Sequence, residues 1–136
     1  MAARTKARKR ALDVLFECEL RDVPLGETLA ERVSAGEPPV NPYTVTLVEG
    51  VRDNQEAIDA LLSEHSVGWP LGRMPGVNRN LLRIATFEVM YVFDVPDAVA
   101  VSEAVNLATD LSTGESPNFI SGLLSKLIEV KATAQA

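Results

Sequence analysis

Residues 77–93, VNRNLLRIATFEVMYVF, constrain the fold more than any other segment, because they are apolar nearly all round. A surface helix shows one apolar stripe, whereas a helix that is apolar on every side belongs in the middle of a bundle. The length of the segment and the Arg79/Arg83 pair, four residues apart, predict helix. Its closing residues, Val89 to Phe93, are mostly β-branched and aromatic types that also suit a strand. A chain built on such an element is expected to wrap it in amphipathic helices.

The rest of the sequence supplies them. From Lys6 to Leu20 nothing breaks a helix, and Ala11, Leu12, Leu15 and Phe16 make one apolar face. Pro24 and Gly26 punctuate a turn, and residues 25–35 read as a short second helix with Leu29 and Val33 facing the same way. GEPPVNP (36–42) is a loop. A third helix runs from Pro42 to His65, with Leu47, Val48, Val51, Ile58, Leu61 and Leu62 as its stripe. VGWPLGRMPG (67–76), with its prolines and glycines, marks the boundary between two halves, about 1–66 and about 67–136. Asp94 to Asp97 turns the chain at Pro96. Residues 98–112 then place Val101, Ala104, Val105, Ala108 and Leu111 on one face. Ser116-Pro117 predicts a helix start, the serine capping free amides and proline occupying the first helical position. Phe119, Ile120, Leu123, Leu124, Leu127 and Ile128 form the last stripe. Gly122 sits inside that helix at a cost of about 1 kcal/mol relative to alanine, which implies close approach by a neighbouring helix or a ligand. The expected fold is all-α, a bundle of six or seven helices.

Charge is divided between one end and the body. Arg4, Lys6, Arg8, Lys9 and Arg10 give the first ten residues +5, although the whole chain is −6. The remaining eight basic and 19 acidic residues net −11. A uniformly acidic protein repels nucleic acid, but a basic helix end on an acidic body can hold a polyanion locally, because salt confines each field to about 10 Å. A solvated terminus is the alternative on charge alone.

Catalytic patterns are missing. There is no Gly-rich phosphate loop. One histidine, His65, and one cysteine, Cys18, cannot make a tetrahedral zinc site or a disulfide. His65 ends an apolar stripe and reads as structural, and Cys18 as a small packing residue. Trp69, at the boundary, reads as an anchor between the halves. No stretch reaches the roughly 18 apolar residues of a membrane span, and the basic N-terminus lacks the apolar segment of a signal peptide. These readings predict a cytoplasmic binding module that is not an enzyme and carries no cofactor or metal.

The order and spacing of several segments resemble the NusB family of bacterial transcription antitermination factors over roughly residues 4–130. They are ARKRALDVLFECEL, LVEGVRDNQEAID, GWPLGRMPGVNRNLLRIATFEVMY and VPDAVAVSEAVNLATDLSTGESPNFISGLLSKL. The resemblance implies two packed helical subdomains and no catalytic activity. It implies that the protein binds the single-stranded boxA element of nascent ribosomal RNA transcripts together with NusE, a small-subunit ribosomal protein. The complex would support RNA polymerase in processive rRNA transcription. Arg4, Lys6 and Arg8 match basic positions of the family's RNA-binding helix. Glu115 matches an acidic position tied to RNA binding. Asn118 stands where a lysine often occurs, and Phe119 matches an aromatic residue expected to stack on a base. Phe16 and Asn78 fall near the expected NusE surface, where the family has a tyrosine and an acid. Ser121 and Ser125 replace the usual asparagine and aspartate. On periodicity alone Phe119 reads as core, and Arg79 and Arg83 as a second RNA patch or a helix tie.

Two other readings compete with this one. A NusB-like module also precedes rRNA methyltransferase domains as an accessory RNA-binding domain, and the chain's end just past the module argues for the free-standing factor. A purely structural helical homodimer would mask its own basic arm.

Overall fold

The computed structural model describes every residue except Met1, Leu25, Gly26, 36–39, Thr113 and Ala136, together with the side chains of all but Ala2, Thr28, Arg32, Ala35 and Gln135 among the remainder. Most of the 36–42 loop and the Gly26 turn therefore lie outside the described residues. Six helices follow one another: α1 (Ala2–Arg21), α2 (Glu27–Ala35), α3 (Pro42–His65), α4 (Gly76–Tyr91), α5 (Asp97–Leu111) and α6 (Ser116–Gln135). One 3-10 turn, Leu71–Arg73, interrupts the Pro/Gly segment.

Helix α4 is the hub, packing against α1, α3, α5 and α6. Every residue from Asn80 to Val89 is buried, as its apolar circumference requires. The main buried cluster gathers Leu12 and Leu15 of α1, Leu47 and Ile58 of α3, Leu81 and Leu82 of α4, Leu107 of α5 and Leu124 and Leu127 of α6. It thus draws on both sides of the 67–76 segment.

Helix α1 runs antiparallel to α4. Near its start Arg8 meets Glu88, and near its end Glu19 meets Arg79 and Arg83. Between them Phe16 lies so close to Gly76 that a β-carbon there would come within 2.5 Å of its ring. Helix α3 starts as its sequence dictates: the Asn41 side chain accepts the Tyr43 N–H at 2.8 Å, and Pro42 follows it as first helical residue. Further along α3, a β-carbon on Gly50 would stand 2.1 Å from the Phe87 ring, so only glycine lets α3 and α4 approach there.

Four local expectations are corrected. Helix α4 ends at Tyr91, not Phe93, and Phe93 is 87% exposed. The residue before Pro96 is barred from helical geometry, so the chain turns early, with Val95 N–H donating to the Val92 carbonyl. Val33 is 52% exposed while Leu29 is buried, because the nine-residue α2 packs chiefly on α1 and buries little more than one turn. On α5 the inward line is Ala100, Ala104, Leu107 and Ala108, and Leu111 at the helix end is left exposed. Finally, the first bond of α6 joins Phe119 N–H to the Glu115 carbonyl, which moves the cap position back to Glu115. Ser116 becomes the first helical residue, and its hydroxyl accepts a hydrogen bond from Asn78 instead.

Candidate nucleic-acid interface

The basic residues of α1 separate by depth. Lys6 is exposed and forms no ion pair among the described residues. Arg4 is partly exposed, stacks its guanidinium 4.2 Å from the Tyr43 ring centroid and reaches Asp94 at 3.2 Å. Lys9 is exposed and pairs with Asp13 at 3.2 Å. Arg8 is only 3% exposed. Its Nε donates to both Glu88 carboxylate oxygens at 3.0 and 2.9 Å, and its Nη1 donates to Glu103 at 2.9 Å. Thr5 and Tyr43 donate to the same two carboxylates, Thr5 to Glu103 at 2.6 Å and Tyr43 to Glu88 at 2.5 Å. Burial alone would lower the Arg8 pKa, but the hydrogen bonds and charges of Glu88 and Glu103 raise it above the ordinary arginine value. The phenol of Tyr43 is raised by burial and by Glu88, so it stays protonated as the donor. Arg8 is therefore no phosphate ligand in this arrangement, because its donors are turned inward onto α4 and α5. The four-residue spacing of Arg4 and Arg8 puts them on one side of α1, but the second lies one turn further over the core.

The other candidate residues gather at the far end of α4. Phe119 is half-buried, with its ring edge-to-face against Trp69 at 5.0 Å between centroids and 68° between planes. It lines a surface groove of about 340 Å³ between the end of α3 and α6, together with His65, Ser66, Val67, Asn118, Gly122, Leu123 and Lys126. Asn118 is exposed, and so is Glu115 at the head of the helix. Phe16 is half-buried against Gly76. Asn78 departs from expectation. It is fully buried, its amide donates to Ser116 Oγ at 2.9 Å, and its carbonyl oxygen accepts from Ser112 Oγ at 2.7 Å. An amide wedged between α4, α5 and α6 offers nothing to a partner's surface. Arg79 and Arg83 are also internal ties. Arg79 grips Glu19 at 2.8 Å and the carbonyls of Leu71 and Met74, while Arg83 bridges Glu19 and Asp59 at 2.8 and 2.9 Å. Burial raises the Glu19 pKa, but bonds from Arg79 and the charges of both arginines outweigh it and hold the carboxyl below its usual range.

Residues 5–129 match the model of the NusB family. The chain belongs to the NusB family. It is 55% identical over 136 residues to the transcription antitermination protein NusB of Kineococcus radiotolerans, with all of both chains covered. It is 54% identical over 131 residues to the NusB of a Nocardioides species, covering 96% of this chain and 97% of that one. Among solved structures, NusB of T. maritima superposes with a TM-score of 0.83 at 30% identity, over 93% of this chain and 90% of that one. A chain from a crystal structure of the antitermination factors NusB and NusE in complex with dsRNA superposes with a TM-score of 0.82 at 25% identity, over 96% and 98%.

The NusB fold thus carries two separated sets of candidate residues here. Arg4 touches Asp94, just beyond the end of α4, and Phe119 rests on Trp69, just before its start. Sequence reasoning missed the buried Glu88 that takes Arg8 out of play. Its signal was present, as the one carboxylate in the middle of an otherwise apolar run. Among the described residues no cluster of three or more His, Cys, Asp or Glu could hold a metal ion, and no helix is long and apolar enough to cross a membrane.

Proposed function

We propose that this chain is a cytoplasmic transcription antitermination factor that binds single-stranded boxA RNA of nascent rRNA transcripts together with NusE, within an RNA polymerase antitermination complex, and catalyses no reaction. The observation that carries the reading is its likeness, over 96% of the chain, to a protein solved with NusE and RNA. The RNA in that complex is double-stranded. The single-strand reading rests on Phe119, whose ring stands edge-to-face with Trp69 and lines the groove. Stacking on such a ring is worth about 1–3 kcal/mol per base.

Arg4 and Lys6 then act as phosphate contacts and Phe119 as a base contact, with Asn118 and Glu115 beside it. Arg8 acts indirectly, by fixing the basic end of α1 to α4 and α5. NusE meets the acidic body around Phe16, where Asn78 contributes by holding α4 to the start of α6. A strand reaching from Arg4 to Phe119 has to travel the 16 residues of α4, about 24 Å at a rise of about 1.5 Å per residue.

Titration of boxA RNA and a scrambled control, each with and without NusE, tests the reading. NusE should raise boxA affinity, and RNA must raise NusE affinity by the same factor. RNA affinity unchanged at saturating NusE would refute the partnership. Arg4→Ala and Lys6→Ala should weaken both RNAs and each remove about 0.7 from the slope of log affinity against log salt. An unchanged slope in the double variant would remove the arm from the site.

A further inference from the structure

Tyr43, in the first turn of α3, is anchored at three points. Its backbone N–H donates to the Asn41 side chain at 2.8 Å, and its hydroxyl donates to Glu88 at 2.5 Å. The ring between them packs against both buried apolar clusters, the main one and a smaller one of Val89, Val95 and Ala100. This fixed ring carries the Arg4 guanidinium 4.2 Å from its centroid, with Arg8 further off at 5.6 Å. Arg8 is neutralised by the buried Glu88 and the partly buried Glu103. Arg4 has a different partner: Asp94, in the turn between α4 and α5, accepts from its Nη2 at 3.2 Å, and the two side chains are 43% and 69% exposed. An ion pair so open to water adds little to stability. The arrangement therefore does little for the fold. What it does is hold one cationic side chain in a set place at the surface.

We propose that Tyr43 and Asp94 form a cradle for Arg4, in which Tyr43 is a positioning residue that stays and Asp94 a resident anion that an RNA phosphate replaces. The inference rests on the RNA-binding reading of Arg4 and deepens it. A long side chain that is free in solution loses conformational freedom when it binds, and that loss weakens the contact. The Tyr43 ring takes part of the loss in advance, because an aromatic face attracts the cation without occupying it as a hydrogen-bond acceptor. The donors of the guanidinium fork are left for anions, and Asp94 engages it through one nitrogen. A phosphate presents the same kind of charged oxygen and can meet the fork at two points. Asp94 is free to give way, because its side chain lies mostly in water on a turn. The charges explain why it has to. Around the ring stand two arginines, Arg4 and Arg8, and three carboxylates, Glu88, Glu103 and Asp94. The group is attractive to a phosphate only once Asp94 has turned aside. Lys6, exposed and without an ion pair among the described residues, has no such cradle.

Salt titrations of boxA and scrambled RNA test both parts of the cradle. Tyr43→Leu should weaken the two RNAs alike, by about 2- to 5-fold, the worth of an exposed cation–π contact. It should also flatten the salt slope toward the Arg4→Ala value, a change of at most about 0.7, and Arg4→Ala should then cost less than it does in the unaltered protein. Tyr43→Phe keeps the ring face and should restore the slope. Both variants lose the hydroxyl on Glu88 and should melt earlier, so a Tyr43 that serves the fold alone would move the melting temperature in both and the slope in neither. Asp94→Asn should raise affinity for both RNAs by about 1.5- to 5-fold, and the gain should vanish in the Arg4→Ala background. A slope untouched by Tyr43→Leu, or not restored by Tyr43→Phe, refutes the cradle. So does an Asp94→Asn variant that binds RNA no better, or one whose gain persists without Arg4 and thus reflects general charge repulsion. Should Tyr43→Leu fail to fold, Asp94→Asn on its surface turn decides by the same two outcomes. If Arg4→Ala lowers affinity and slope while these variants do not behave as stated, the cradle alone falls. If Arg4→Ala changes neither, the RNA reading of Arg4 fails and the cradle with it.

Discussion

Glu88→Ala should destabilise this protein more than any other single loss of charge. The carboxylate is 1% exposed and receives Arg8, itself 3% exposed, through two nitrogen donors within 3.0 Å, plus the Tyr43 hydroxyl. Removing it leaves a buried guanidinium with Glu103 as its remaining carboxylate partner and a phenol without its acceptor. Breaking a buried pair from one side typically costs about 3–5 kcal/mol, because the surviving charge keeps its desolvation penalty and loses its compensation. Unfolding 136 residues carries an entropy of about 2.1 cal/mol/K per residue, so each kcal/mol moves the midpoint by about 3.5 °C. The melting temperature should therefore fall by about 10–17 °C, and urea unfolding should show the same loss at an unchanged m-value. Arg8→Met should cost a similar amount, and the double variant Arg8→Met/Glu88→Leu less than the two singles added together. A loss below 1 kcal/mol for Glu88→Ala would mean that Arg8 is free to leave the core. Its assignment as an internal tie, rather than an RNA ligand, would then fail.

The other predictions concern the opposite end of the α1–α4 pair and the groove. Glu19 has its pKa depressed by Arg79 and Arg83, so the stability it contributes is present above the unfolded carboxylate value of about 4.3 and disappears as pH falls through the lower folded value. Glu19→Gln should flatten the acid limb of a plot of stability against pH while losing stability at neutral pH. Gly50→Ala should destabilise by about 1–3 kcal/mol, because its methyl would overlap the Phe87 ring on a buried stretch of α4; an unchanged urea midpoint would show that the ring moves freely. Phe119→Ala should lose RNA affinity at an unchanged salt slope, and cost less stability than the roughly 3–5 kcal/mol of a fully buried phenylalanine, since the ring is only half-buried at the groove. Normal RNA binding in that variant would leave Phe119 as packing only.

The fold was legible because its signals are redundant. The all-round apolar α4, the Asn41-Pro42 start and the Pro/Gly segment before Gly76 each constrain a boundary or a position, and they agree. Where a single residue type had to decide, the sequence was ambiguous. Val33 and Leu111 are apolar and four residues from buried positions, yet both sit toward helix ends and are exposed, with no neighbour among the described residues to cover them. The site was less legible still, because charge and polarity do not report depth. Arg4 and Arg8 are one turn apart, and only the placement of Glu88 on a different helix determines that one faces water and the other does not. Asn78 is polar and lies two residues past Gly76 at the start of α4, but Ser112, just past α5, and Ser116 of α6 satisfy it internally. Phe119 was read as core by its period and as a stacking residue by resemblance. The ring is half-buried and edge-to-face with Trp69, so it is neither fully core nor fully exposed.

The two ends of the charge asymmetry are coupled through α4. The acidic body draws much of the basic arm back onto itself: Arg8 goes to Glu88 and Glu103, Lys9 to Asp13, and Arg4 leans on Asp94. A count of +5 over ten residues therefore overstates what a phosphate chain can meet. With Arg4 and Lys6 as the proposed phosphate contacts, those two should contribute about −1.4 to the salt slope, against the roughly −3.5 that five free cations would give. On the proposed reading a weak electrostatic grip leaves selectivity to the bases, and Phe119, the proposed aromatic contact, stands toward the other end of α4. Holding α1 to α4 by a buried ion pair at one end and a half-buried one at the other would fix the distance between the proposed phosphate and base contacts. If both contacts bind RNA as proposed, strand length should become part of what is recognised: an RNA too short to span α4 should bind more weakly than one that reaches both ends, and equal affinity for the two would refute the two-ended reading.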